Sequence, residues 1–229
     1  MCTQDKRAVV LLSGGLDSAT AALFAKNDGF SLSALTFNYG QRHSIELQSA
    51  KNIAAFLGIS DHVVIHIPSE IFSTALLKNS QEQIPKNRLL TAEDIPNTYV
   101  PARNIIFLSY GLAYAESIGA ESVFIGANAV DYSGYPDCRP EFFESFAVMA
   151  ERGTKCGIEG RPIRIETPLI SMSKAEIIRF GNAKGFDYAL THSCYDSDET
   201  GLACGICDSC LIRKKGFAEA GIIDPVRYK

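Results

Sequence analysis

The chain has 229 residues, enough for one domain with a proper core, and its 46% hydrophobic and 21% charged residues are ordinary for a soluble globular protein. A formal net charge of −4 disfavours a broad basic surface, so no direct nucleic-acid partner is expected. No apolar run approaches the roughly 20 residues that span a bilayer, so no membrane partner is expected either.

Lys6 and Arg7 precede an apolar stretch as in a signal peptide, but Ser13, Gly14, Gly15 and Asp17 break it too early. The chain reads as cytoplasmic. Residues 8–12 are a continuous apolar run of strand length, as expected for a central strand covered on both faces. A helix follows at 17–27, a second strand at 32–37, a helix at 44–57 and a third strand at 62–67. The 68–100 stretch loosens into a loop-rich insertion with Pro85 and Pro96, and a helical piece is expected at 69–77. Residues 104–118 are apolar nearly all round, which predicts a buried helix. Strands at 122–126 and 163–167 flank a helix at 140–153. The last helix read from the pattern, 173–184, opens on Ser173 with Glu176 three residues on, a capping box. Strands alternating with helices on short connections predict an α/β, doubly wound parallel sheet.

Ser13-Gly14-Gly15-Leu16-Asp17-Ser18 lies between the first strand and the first helix. Glycines there let the backbone approach a ligand closely, and the amides of the turn and helix N-terminus suit an anion. Ser13 and Ser18 offer hydroxyls to phosphate oxygens. Asp17 suits either a Mg²⁺ ion or a helix cap. The loop fits neither Walker A nor Gly-x-Gly-x-x-Gly. It resembles the Ser-Gly-Gly-x-Asp-Ser loop of the PP-loop ATP pyrophosphatases, which split ATP between the α and β phosphates and adenylate their substrate. That resemblance implies an adenine nucleotide alpha-hydrolase-like fold, with ATP on Leu12, Ser13, Gly14, Gly15, Leu16, Asp17 and Ser18. Val100-Pro101-Ala102-Arg103-Asn104 is similar to the V-P-x-R-N segment of that group, placing Arg103 and Asn104 in the nucleotide or substrate pocket. Asn104 alone would equally serve as a helix N-cap. Lys174 matches a phosphate-reaching lysine; without the resemblance it would read as a solvated one. Asp17, Lys174 and Arg103 are the expected catalytic set.

The 126–140 loop follows the fourth strand and carries Asn128, Asp131, Tyr132, Tyr135, Asp137, Cys138 and Arg139. Loops at strand carboxyl ends hold ligands in open α/β sheets. Stacking tyrosines, carboxylates and an arginine suit a hydrogen-bonding heterocycle that bears a carboxylate. Cys138 reads as a small pocket-lining residue, since no histidine stands as an obvious base. The string G-A-N-x-x-D-Y-S-G-Y-P-D-C-R-P-E-F resembles the signature of the 7-cyano-7-deazaguanine synthase family of queuosine biosynthesis. The resemblance implies an ATP-dependent carbon–nitrogen ligase acting on 7-carboxy-7-deazaguanine and ammonia. Asn104, Asn128, Asp131, Tyr132, Tyr135, Asp137 and Arg139 are then the expected substrate contacts, and a homodimer is the expected assembly.

Of seven cysteines, Cys194, Cys204, Cys207 and Cys210 crowd near the end, in metal-ligand spacing. A structural Zn²⁺ is expected; an iron–sulfur cluster or a thiol exchange pair is the alternative. Such a site would fix a C-terminal helix and strands, dividing the chain into an ATP-binding region at 1–190 and a zinc-binding region at 191–229. Two other functions fit parts of the pattern: a PP-loop tRNA sulfurtransferase, and a nucleotide sensor without turnover.

Overall fold

A computed structural model of the chain describes residues 6–42, 45–87, 95–130 and 134–229. Strand β1 (Arg7–Leu11) is apolar on successive residues because both its faces are covered. Ala8 and Val10 enter one core, Val9 and Leu11 the other. The first core is closed by α1 (Leu16–Asn27), α2 (Ile45–Phe56), α6 (Lys174–Ala183) and α7 (Asp208–Ala220). The second is closed by α3 (Arg103–Ile118) and α4 (Pro140–Gly153). With β2 (Ser31–Asn38), β3 (Asp61–His66), β4 (Ser122–Ile125) and β5 (Arg164–Glu166), β1 forms a five-stranded parallel sheet in the order β3-β2-β1-β4-β5. A short helix α5 (Lys155–Ile158) precedes β5.

The chain winds outward from β1 to β3 and then returns to the other side of β1. The loops after β1 and β4 therefore leave the sheet side by side, at the switch point where open α/β sheets bind ligands. Gly126 makes the approach intimate: a Cβ on it would lie 2.6 Å from the carbonyl carbon of Asp17 and from the amide of Ser18.

The expected sheet, its strands and the Ser173–Glu176 capping box are all present. Three expectations are corrected. The helical piece at 69–77 shrinks to a 3₁₀ turn, Ser69–Ile71. Downstream, the backbone pairs mainly with distant segments: Ala75 N–H donates to Asn97 O, Arg42 N–H to Leu76 O and Lys78 N–H to Gly40 O. Helix α3 covers only one face of the sheet, so Ile105 and Tyr110 on its outer side are 45% and 44% exposed. The C-terminal strands are absent among the described residues, where 191–229 offers α7 and two isolated bridges, Ala203 to Tyr228 and Cys207 to Lys86. No helix among the described residues is long and apolar enough to cross a membrane.

Helices α6 and α7 meet at Gly216, where a Cβ would lie 2.4 Å from Cγ and 2.8 Å from Cβ of Lys174. Alanine there would gain about 1 kcal/mol in helix propensity but cost roughly 1–3 kcal/mol of overpacking. Gly216→Ala should lower the thermal unfolding midpoint by about 2–4 °C. A raised midpoint would mean that the helices are not in contact there.

Candidate active site

After β1, Leu12 still pairs with β2 through its amide, 2.8 Å from Leu35 O, and then the chain turns sharply. Gly14 adopts φ +90°, and a Cβ on it would sit 2.2 Å from the carbonyl oxygen of Glu46 in α2. Only glycine fits. Ser18 is buried and closes the loop: its Oγ accepts from Ser13 N–H at 3.2 Å, lies 3.0 Å from Ser13 Oγ, and donates to Gly15 O at 3.0 Å. Gly15 is the N-cap of α1 without any side-chain cap, so the first-turn amides are open to an anion.

Asp17 is therefore not a cap. Its carboxylate oxygens accept from Lys174 Nζ at 2.7 and 2.8 Å, and Lys174 is only 8% exposed, not a solvated lysine. Its aliphatic stem lies on Gly216, and Ser173 caps the helix that carries it.

The cleft above the loop has two lobes. One, of about 260 Å³, is walled by Phe37, Tyr39, Leu76 and Phe107, with the Phe37 and Phe107 rings stacked 3.9 Å apart. The other, of about 220 Å³, is lined by Asn128, Tyr135, Cys138 and Lys174. Both share Leu16, Asp17, Arg103, Asn104 and Gly126.

Arg103 opens α3 behind Ala102, whose φ of 53° and ψ of 23° place an alanine in the left-handed region. Burial works against the Arg103 charge. The oxygens of Tyr39 and Tyr135, the Cys138 thiol and Asp137 outweigh it, so its pKa is raised. Glu46 and Tyr39, which the sequence did not single out, stand around the same guanidinium. Burial pushes Glu46 up to about 7, opposed by Arg103 and by a hydrogen bond from Gln41. Tyr39 is raised too, by burial first, against Arg103.

The expected substrate residues divide. Asn104, Asn128 and Tyr135 line the cleft. Asn104 is already engaged, donating to Asp137 O at 2.8 Å and Cys138 Sγ at 3.3 Å. Asn128 ties the loop ahead of Lys174, through bonds from its Nδ2 to Leu169 O at 3.1 Å and to Met172 O. Tyr135 OH lies 2.9 Å from Thr98 Oγ1, which links the insertion to the cleft. Asp137 is buried and turned the other way, accepting from Asn104 N–H at 3.0 Å and so holding the start of α3. Arg139 is exposed at the N-cap of α4, outside both lobes. Asp131 and Tyr132 lie outside the described residues. Burial, then Asp137, pushes the Cys138 thiol up to about 11, which fits a wall residue and not a nucleophile.

Beside the cleft, the sulfurs of Cys194, Cys204, Cys207 and Cys210 are buried and within 4.8 Å of one another, with Cys204 and Cys210 Sγ 4.0 Å apart. Four sulfurs about 2.3 Å from a tetrahedral ion stand roughly 3.8 Å from each other, so the spacing suits a single ion. All four thiols are free. Backbone N–H groups of Asp196 and Cys204 point at Cys194 Sγ from 3.3 and 3.2 Å, as suits a thiolate. Hydrogen bonds from Cys194 and Cys210 hold the Cys207 thiol well below its usual range, at the expense of those two partners, which are raised. From the same segment His192 N–H donates to Gly14 O at 2.9 Å, and His192, Ser193 and Tyr195 line the cleft. The insertion packs onto the cysteines as well: Ala75 and Ile84 join their cluster, and Lys86 Nζ lies 2.8 Å from Asp196.

With the geometry in place, known proteins give it a context. Residues 7–221 match the family described as "Queuosine biosynthesis protein QueC". A protein of Desulfatibacillum aliphaticivorans called 7-cyano-7-deazaguanine synthase is 57% identical over 98% of this chain and 97% of its own length. One of Methylococcus capsulatus with the same name is 53% identical over 98% and 99%. Among solved structures, a 4-thiouridine synthetase–RNA complex with bound ATP is similar at a TM-score of 0.52 and 16% identity, over 94% of this chain and 50% of that one. That likeness concerns the fold alone. A match across nearly all its length, and relatives more than half identical end to end, place this chain in the queuosine biosynthesis protein QueC family.

Proposed function

We propose that the chain is an ATP-dependent ligase that converts 7-carboxy-7-deazaguanine and ammonia into 7-cyano-7-deazaguanine, the product in its relatives' name. The observation that carries this reading is the two-lobed cleft over one phosphate loop. It has room for two flat heterocycles whose reactive ends meet at Asp17 and Arg103. The aromatic lobe takes adenosine, and the lobe with Asn128 and Tyr135 takes the deazapurine acid.

In this account the acid's carboxylate attacks the α phosphorus, and pyrophosphate leaves on the open amides of loop 13–18. Ammonia then displaces AMP to give the amide. A second ATP adenylates the amide oxygen, and loss of that AMP with a proton leaves the nitrile. Both carboxylate oxygens depart in AMP, so no water is consumed. The catalytic work is positioning and charge stabilisation, with Lys174 and Arg103 as the cations nearest the transferred group. Tyr135 from the 126–140 loop, held by Thr98 of the insertion, and Tyr195 from the cysteine segment line the cleft and would help to exclude water from the acyl-adenylate.

Asp17 is the loop carboxylate that would hold Mg²⁺, which neutralises charge on the departing pyrophosphate. Zn²⁺ is the ion that best suits four thiolates, and through Cys194 and His192 it would steady the loop from 191–229 onto 1–190. The reading includes free ammonia as nitrogen donor and a cytoplasmic setting that keeps the thiols reduced. It also includes a homodimer that covers exposed apolar side chains of α3 and α4 such as Tyr110 and Met149.

Incubation with ATP, ammonium and the acid should give AMP and a nitrile by mass spectrometry. ADP as the nucleotide product, or no consumption of the acid, would sink the reading. Lys174→Ala should lower kcat by about 10²–10³-fold, the usual cost of one transition-state donor. A fall of less than a few fold would remove Lys174 from the chemistry. Cys207→Ser should lose stoichiometric zinc in metal analysis and unfold at a lower temperature. Full zinc retention would show that the quartet is not its ligand set.

A further inference from the structure

We propose that Glu46, braced by Gln41, reads the ribose hydroxyls of the nucleotide. This deepens the assignment of the aromatic lobe to adenosine and rests on it. A nucleotide with its base on Phe37 and Phe107 and its phosphates on loop 13–18 must carry its sugar between them. Glu46 lines the lobe that holds both the rings and the loop. It lies in the first turn of α2, its carbonyl oxygen is packed on Gly14, and its side chain lines the same lobe.

The carboxylate is short of donors where it stands. Gln41 and Arg103 both favour its charged form, and burial pushes the group up to about 7 in spite of both. Gln41 is itself fixed: its Oε1 accepts from Tyr39 N–H at 3.0 Å, and its Nε2 donates to Phe37 O at 3.2 Å. A ligand that satisfies Glu46 must therefore bring hydrogen-bond donors. A cation would meet the positive charge of Arg103 and of Arg42, which lines this lobe while its Nε donates to Ala75 O at 2.9 Å. Two vicinal hydroxyls supply donors without charge, and a pair of them on one carboxylate is a strong arrangement.

The test is calorimetric binding of ATP, 2′-deoxy-ATP and 3′-deoxy-ATP to the wild-type chain, to Glu46→Gln and to Glu46→Ala. It needs no acid substrate, so it stays readable if nitrile synthesis fails. Wild type should bind each deoxynucleotide on the order of tenfold more weakly than ATP, the worth of a hydrogen bond to a charged group. Both variants should narrow that ratio toward one while keeping the wild-type unfolding midpoint. Equal affinities in wild type overturn the proposal without any variant. So does a variant that weakens all three nucleotides by the same factor, since Glu46 would then serve only to position Arg103.

Discussion

The site depends on how closely the backbone passes over Gly14. One side of that residue faces the first turn of α2, where a Cβ would overlap Glu46 O at 2.2 Å. Its carbonyl accepts the His192 amide at 2.9 Å. A turn at the end of β1 is thus held by the β2–α2 connection and by the segment that leads into the cysteines. Gly126 adds β4 from a third direction. Three stretches far apart in sequence are brought to one turn with open helix-terminal amides, and each delivers its own wall of the cleft. Any side chain at Gly14 would push those walls apart and add the strain of a positive φ.

The charge arrangement follows from that convergence. Lys174 reaches Asp17 because α6 starts beside α1 and because Gly216 leaves space for its stem. The pair has matched charge before ligand arrives, so a polyanion would compete with Asp17 for the ammonium group. Arg103 differs, since phenol oxygens, a thiol and the carboxylates of Asp137 and Glu46 share it in place of one dedicated partner. Its fixed charge at the junction of the two lobes is what a developing negative charge on phosphorus would meet.

Much of this was legible from residue types in order. An apolar run with no alternation marks a strand covered on both faces, and Ser173 with Glu176 marks a helix start; both held. The cysteine spacing led to four sulfurs within 4.8 Å. Direction was the part that could not be read. Asp137 and Arg139 sit in a loop rich in substrate-like groups, yet one turns back to hold α3 and the other faces solvent. Glu46 was not singled out, because nothing local indicates that the first turn of α2 lies against Gly14. The 69–77 segment has helical composition, but pairing with residues 42 and 97 outcompetes a helix of its own.

The central claim is that loop 13–18 grips the outer phosphates and points the α phosphorus toward the lobe of Asn128 and Tyr135. A crystal structure with an ATP analogue whose α–β bridge is a methylene tests it most directly. The β and γ phosphates should lie on the amides at the start of α1, with adenine against Phe37 and Phe107. Adenine beside Tyr135, or phosphates away from the loop, would contradict the account.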